Sequence, residues 1–163
     1  MLKVFRITAV VLLLLWMILI FCLSDQDSSR SSATSGSVIT VVVKIFHPDF
    51  DELSAAEQEA LIQPFQFVFR KGAHFTAYAV LSIFSFLSVI TYLKISFSFR
   101  CVISAVICLL YAISDEIHQL YVPGRSGEIR DVLIDFCGSL AALLIMILIA
   151  KCTKLKKFIK GGA

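Results

Sequence analysis

Four stretches of this chain are apolar for long enough to cross a bilayer. Ile7 to Leu23 (ITAVVLLLLWMILIFCL) contains no charge, and His74 to Leu93 reads HFTAYAVLSIFSFLSVITYL. Phe99 to Ile117 (FRCVISAVICLLYAISDEI) is apolar until its last turn, and Val132 to Ala150 reads VLIDFCGSLAALLIMILIA. At 1.5 Å rise per residue, each run covers a hydrocarbon core of about 30 Å. Spans of a β-barrel alternate polar and apolar residues at period two, and these runs do not. An open strand cannot satisfy its backbone groups in lipid, which leaves helices. The pattern predicts an all-α integral membrane four-helix bundle with spans at 7–23, 74–93, 99–117 and 132–150.

The first run is read as a span rather than a cleaved leader. Lys3 and Arg6 precede it, but it is longer than a typical leader core, and its exit, Phe21-Cys22-Leu23-Ser24, offers no small-x-small cleavage site.

The segment between the first two spans, 24–73, divides in three. Ser24 to Ser37 holds seven serines and Gly36 in fourteen residues, the composition of a flexible leader. Val38 to Phe46 (VITVVVKIF) is too short to span and suits the membrane surface. Ser54 followed by Glu57 is a capping-box pattern that starts a short helix through Gln63, which Pro64 ends or kinks.

Composition agrees with the membrane assignment. Of 163 residues, 58% are hydrophobic and 17% charged, against about 45–50% and 25% in soluble domains. A disordered chain, a polar nucleic-acid module and an ordinary soluble enzyme are excluded. Charge sets the expected orientation. With the N-terminus in the cytoplasm, the inner segments carry Lys3, Arg6, Lys94, Arg100, Lys151, Lys154, Lys156, Lys157 and Lys160, nine of the fifteen basic residues. All twelve Asp and Glu then lie outside. The positive-inside rule favours this N-in, C-in topology, with a long extracytoplasmic first loop. The net charge of +3 needs no nucleic acid, because the basic tail, 151–163, suits anionic inner-leaflet lipid. Five cysteines without a C-x-x-C pair read as small packing residues, not as a disulfide framework or zinc site.

Polar residues that hydropathy does not explain gather at the outer ends of the spans. Ser24 and Gln26 end the first, and Arg70, Lys71 and His74 begin the second. Ser114, Asp115, Glu116, His118 and Gln119 end the third, while Arg125, Arg130, Asp131 and Asp135 lead into the fourth. Asp115 shares a helix face with His118 (i,i+3) and Gln119 (i,i+4), as His74 does with Tyr78. Asp135 lies one turn inside its span, where a charge is costly, so it is expected to face the bundle and meet Arg70, His74 or Arg125. Gly138 and Ala142, four apart, allow that helix to pack closely on a neighbour.

These motifs carry a resemblance. Arg70-Lys71-x-x-His74-Phe75-x-x-Tyr78, Ser114-Asp115-Glu116-x-His118-Gln119, Val122-Pro123-Gly124-Arg125 and Asp131-Val132-x-x-Asp135-x-x-Gly138 resemble the VanZ family, as does the Ser24-x-Gln26 exit from the first span. The match runs from about residue 7 to 150, and the family commonly has Asn at the position of Asp135. The resemblance implies a small multi-pass protein of the bacterial plasma membrane. Founding members are linked to low-level resistance to teicoplanin, a lipoglycopeptide acting at the outer membrane face; no reaction is established for them.

Three functions fit. One is binding or modification of a surface amphiphile, such as a membrane lipid, a lipid-linked wall precursor or a lipoglycopeptide. Arg70, Lys71, Tyr78, Gln119, Arg125, Asp131 and Asp135 are its candidate binding residues. The second is an intramembrane enzyme acting on a lipid phosphate or headgroup. His74 or His118 would be its general base, oriented by Asp115 or Glu116, and Arg125 would stabilise developing anionic charge. The third is a structural role in which the polar residues hold the helices together for a partner. The sequence leaves catalysis open. Asp115, Glu116, His118 and His74 are competent metal ligands, but without an H-E-x-x-H signature neither a metal nor another cofactor is assigned.

Overall fold

A computed structural model describes residues 2–152, with side chains for all of these except 2, 28–30 and 152. Five α-helices follow in order: α1 (Leu2–Ser24), α2 (Ser28–Phe46), α3 (Ala55–Tyr92), α4 (Phe97–Gln119) and α5 (Ile129–Cys152), with a 3-10 turn at Pro48–Glu52 between α2 and α3. No strand is present among the described residues. Helices α1, α3, α4 and α5 are each long and apolar enough to cross a membrane. They alternate in direction, so the ends near Lys3 and Lys151 fall on one side of the bundle. The basic tail from residue 153 onward lies outside the described residues.

The all-α bundle and its four crossings are as the hydropathy predicts. Helix α1 is apolar on every side. Val4, Ile7, Val11, Leu15 and Ile18 are exposed, as lipid-facing residues are. Its inward stripe, Leu13, Trp16, Met17 and Ile20, packs with Tyr78, Leu81, Cys108 and Ala112. Two half-buried polar tips are satisfied across helices: Trp16 Nε1 donates to the Ala77 carbonyl at 2.9 Å, and Tyr111 Oη donates to the Met17 carbonyl. At the other end Phe86, Cys101 and Leu143 form a second core. There Arg100 is buried and its Nε donates to the Leu93 carbonyl at 3.2 Å, tying the turn between α3 and α4. Buried serines (Ser82, Ser85, Ser88, Ser104, Ser139) let the helices approach. Cys22, Cys101, Cys108 and Cys137 are free thiols.

The segment between the first two crossings departs from expectation. The serine-rich stretch is not a flexible leader but lies largely within helix α2, which continues through Phe46. Its hydroxyls bond to carbonyls one turn back, Ser35 to Ser31 at 2.9 Å and Thr40 to Gly36 at 2.8 Å, which hides their polarity. Its apolar half packs Ile39 and Val43 against Phe50 and Ile62. That tertiary contact holds a helix whose composition favours coil.

The capping box forms as predicted. Ser54 Oγ accepts from the Glu57 N–H, and the Glu57 carboxylate accepts from the Ser54 N–H at 2.9 Å. The helix it starts does not stop at Pro64, which lies exposed inside a 38-residue helix. Proline costs a helix interior about 3 kcal/mol; packing of Ile62 and Phe69 on α2 supports the turns on either side. At 1.5 Å per residue α3 is about 57 Å long, well over the hydrocarbon thickness. Its first half therefore extends beyond the bundle and, with α2, forms a helical hairpin above its polar end.

Candidate functional site

The site lies where α5 crosses α3. Gly138 makes this crossing possible, because a Cβ there would stand 2.1 Å from the Phe75 carbonyl oxygen. One residue on, Ser139 Oγ donates to the Tyr78 carbonyl at 3.2 Å, bonding the two helices directly. With the backbones this close, Asp135 faces His74, and His74 Nδ1 stands 3.5 Å from Asp135 Oδ1. Of the three donors expected for Asp135, the structure selects His74. Asp135 is fully buried, as is Tyr78 one turn along α3.

Helix α4 contributes Asp115, buried to 3% exposure, from the opposite wall. The ligand atoms of His74, Asp115 and Asp135 all lie within 4.8 Å of one another. Among the described residues no oxygen of either aspartate has a hydrogen-bond partner of ordinary geometry, nor does Tyr78 Oη. Gln119, on the same face of α4, donates from Nε2 to Ser24 Oγ at 2.7 Å and so fixes the end of α1 beside the aspartates.

Two sequence candidates stand apart from this group. His118 leans toward α1; its Nε2 is 3.1 Å from Asp25 Oδ1 and its ring stacks on Phe21 at 4.3 Å. Glu116 turns to the 120–128 loop, where Oε2 accepts from the Glu128 N–H at 2.9 Å. The loop is shaped by Pro123-Gly124, with φ 71° at Gly124 and a bond from the Arg125 N–H to the Val122 carbonyl at 3.1 Å. This is the arrangement of a type II turn, which favours glycine at its third position. The turn aims Arg125 back over His74.

Lys71 pairs with Asp131, both side chains being mostly buried. That contact takes Asp131 from the arginines of its own segment; Arg130 lies over the Phe67 ring at 4.9 Å. Arg70 and Arg125 are left facing the same space. Among the described residues neither has a carboxylate at ion-pair distance, and the polar contact of Arg125 is a 3.3 Å bond from Nη1 to Ser31 Oγ. Burial, and then the charge of Arg70, pull the Arg125 guanidinium below its ordinary value. A guanidinium nevertheless keeps its proton in proteins, so the pair remains doubly positive.

Three spaces meet at this point. A polar cleft of about 80 Å³ is lined by Arg70, Lys71, His74, Gln119, Arg125, Ser126, Glu128 and Asp131. A second, of about 170 Å³, shares Arg70, His74 and Arg125 with the first and runs under α2 past Ser24, Gln26, Ser31, Thr34 and Ser35. It shares Ile20, Leu23, Ala73 and Ala77 with an open groove of about 570 Å³ between α1 and α3, otherwise lined by groups such as Trp16, Leu19, Val68 and Phe69. A charged recess thus passes into an apolar groove on the flank of the bundle. The α2 hydroxyls were not among the candidates from the sequence; the i,i+4 pair Ser31 and Ser35 was the available signal.

A family model described as VanZ/LLP1 matches residues 9–150. No curated protein and no solved structure matches the chain. The matched segment takes in nearly all of the four crossings and every residue that lines the three spaces. On that extent of match, this multi-pass membrane protein belongs to the VanZ/LLP1 family.

Proposed function

We propose that the protein binds an anionic amphiphile at the outer face of the bacterial plasma membrane, with the phosphate or carboxylate head in the polar cleft and the apolar chain in the groove between α1 and α3. The observation that carries this reading is the pair Arg70 and Arg125, two guanidiniums with no carboxylate at ion-pair distance among the described residues, at the junction of a polar cleft and an apolar groove. Guanidinium groups pair bidentately with phosphate and carboxylate oxygens. A groove open along the bundle suits a chain that stays in the bilayer. The N-in, C-in orientation rests on the basic residues Lys3, Arg6, Lys94, Arg100 and Lys151, all at the end opposite the cleft.

Within this class a lipid-linked wall precursor or a lipoglycopeptide fits best, since each joins an anionic head to a lipid tail. Family membership adds altered teicoplanin susceptibility as the expected phenotype. The test is expression in a teicoplanin-sensitive bacterial host of wild type or of the Arg70→Ala/Arg125→Ala double variant, at matched membrane levels. Protection by wild type alone supports the reading. Equal protection by both removes the arginines from it, and protection by neither withdraws the resistance phenotype.

The second reading is catalytic. His74 held by Asp135 beneath Arg125 has the parts of a general base, its orienting carboxylate and an anion stabiliser. Hydrolysis of a lipid phosphate is the reaction class to assay. Phosphate release abolished by His74→Ala would favour it, and release unchanged in that variant would exclude His74 as the base.

A further inference from the structure

His74, Asp115 and Asp135 come from three different helices, α3, α4 and α5, and converge on one point. The two aspartates are 3% and 0% exposed, so bulk water does not solvate them. Among the described residues none of their four oxygens has a hydrogen-bond partner. Their close polar neighbours are the imidazole of His74, 3.5 Å from Asp135, and the Ser24 hydroxyl beside Asp115, neither of which neutralises both carboxylates. Two carboxylates facing each other in an apolar bundle are costly through lost hydration and mutual repulsion. The fold nevertheless brings them together, through a helix crossing that Gly138 permits.

The geometry points to a divalent transition-metal site, of the Zn²⁺ or Mn²⁺ class, ligated by His74, Asp115 and Asp135. A dication offsets both carboxylate charges and accepts the imidazole lone pair, which a single ammonium or guanidinium would not. The mixed nitrogen and oxygen set fits these ions better than Ca²⁺ or Mg²⁺, which prefer oxygen alone. Ligands held about 2.0–2.2 Å from an ion lie about 3–3.5 Å from each other. His74 and Asp135 already have that spacing, and the Asp115 ligand atom lies within 4.8 Å of both. His74 also lines the polar cleft, which gives the ion its way in. Three protein ligands leave coordination positions for water or for an anionic oxygen in that cleft. The site stands on this triad and not on the amphiphile reading, since Arg70 and Arg125 are not ligands.

The full chain in neutral detergent, stripped with a chelator and re-equilibrated with Zn²⁺ or Mn²⁺, tests the site by elemental analysis. One ion per chain is expected. Dissociation constants should rise at least tenfold in His74→Gln, Asp115→Asn and Asp135→Asn, and stay unchanged in His118→Ala. The Asn variants keep shape while removing buried charge, so they are expected to fold. Co²⁺ added to wild type gives a readout that needs no variant: a saturable visible absorption band at one equivalent supports the site. Absence of saturable uptake by wild type, or equal uptake by all four variants, overturns it.

Discussion

Asp135 on α5 stands 3.5 Å from His74 on α3 because Gly138, three residues further along α5, has no side chain to hold the helices apart. The polar pair and the backbone crossing are one feature. Separating the helices by the width of a methyl group would open the pair as well.

Gly138→Ala is therefore expected to destabilise the protein by about 1–3 kcal/mol, the usual cost of overpacking, because the clash is with backbone at 2.1 Å. Gly72→Ala, on the same helix as His74, is the control. Nothing lies within 4 Å of its new Cβ, so a small gain in helix stability is expected. Thermal unfolding in detergent measures both, and equal effects at the two positions would refute the close crossing.

The Lys71–Asp131 pair ties α3 to the start of α5, with the two side chains 14% and 13% exposed. Lys71→Met leaves Asp131 poorly solvated and should cost about 1–3 kcal/mol; adding Asp131→Leu should recover much of that loss. A double-mutant cycle on unfolding gives the coupling. A coupling near zero would show that the two groups are independently solvated.

Glu116 is expected to act on the loop rather than on a ligand, through its bond to the Glu128 N–H. Glu116→Ala should speed hydrogen exchange at Glu128 and its neighbours, and weaken anion binding indirectly by loosening Arg125. Unchanged exchange at Glu128 would remove that bracing role.

How much of this was legible in sequence differs by element. The four crossings were plain because uninterrupted apolar length is a strong signal, and the Ser54 cap was a local pattern. Helix α2 was hidden because serine-rich composition indicates coil; the contacts that hold it, Ile39 and Val43 on Ile62, are tertiary. The passage of α3 through Pro64 depends on the same contacts. His118 and Asp115 were grouped by their i,i+3 spacing, yet that step turns a side chain about 60° around the helix axis. This is enough to carry His118 to Asp25 while Asp115 stays in the core. Gln119, one residue further on, returns nearer the Asp115 face and lines the polar cleft. That Arg70 and Arg125 have no carboxylate at ion-pair distance among the described residues became visible only once Lys71 was seen to take Asp131.

The most direct test of the central claim uses Trp16, the sole tryptophan, which lines the groove proposed for the apolar chain. Its fluorescence in purified full-length protein would be titrated with a long-chain lipid diphosphate and with a neutral diacylglycerol. A saturable change is predicted for the diphosphate, with affinity lowered about tenfold by either Arg70→Ala or Arg125→Ala, the loss of roughly one charge-assisted contact. Equal responses to the two lipids, or an affinity unaffected by both substitutions, would contradict an anionic amphiphile held by these arginines.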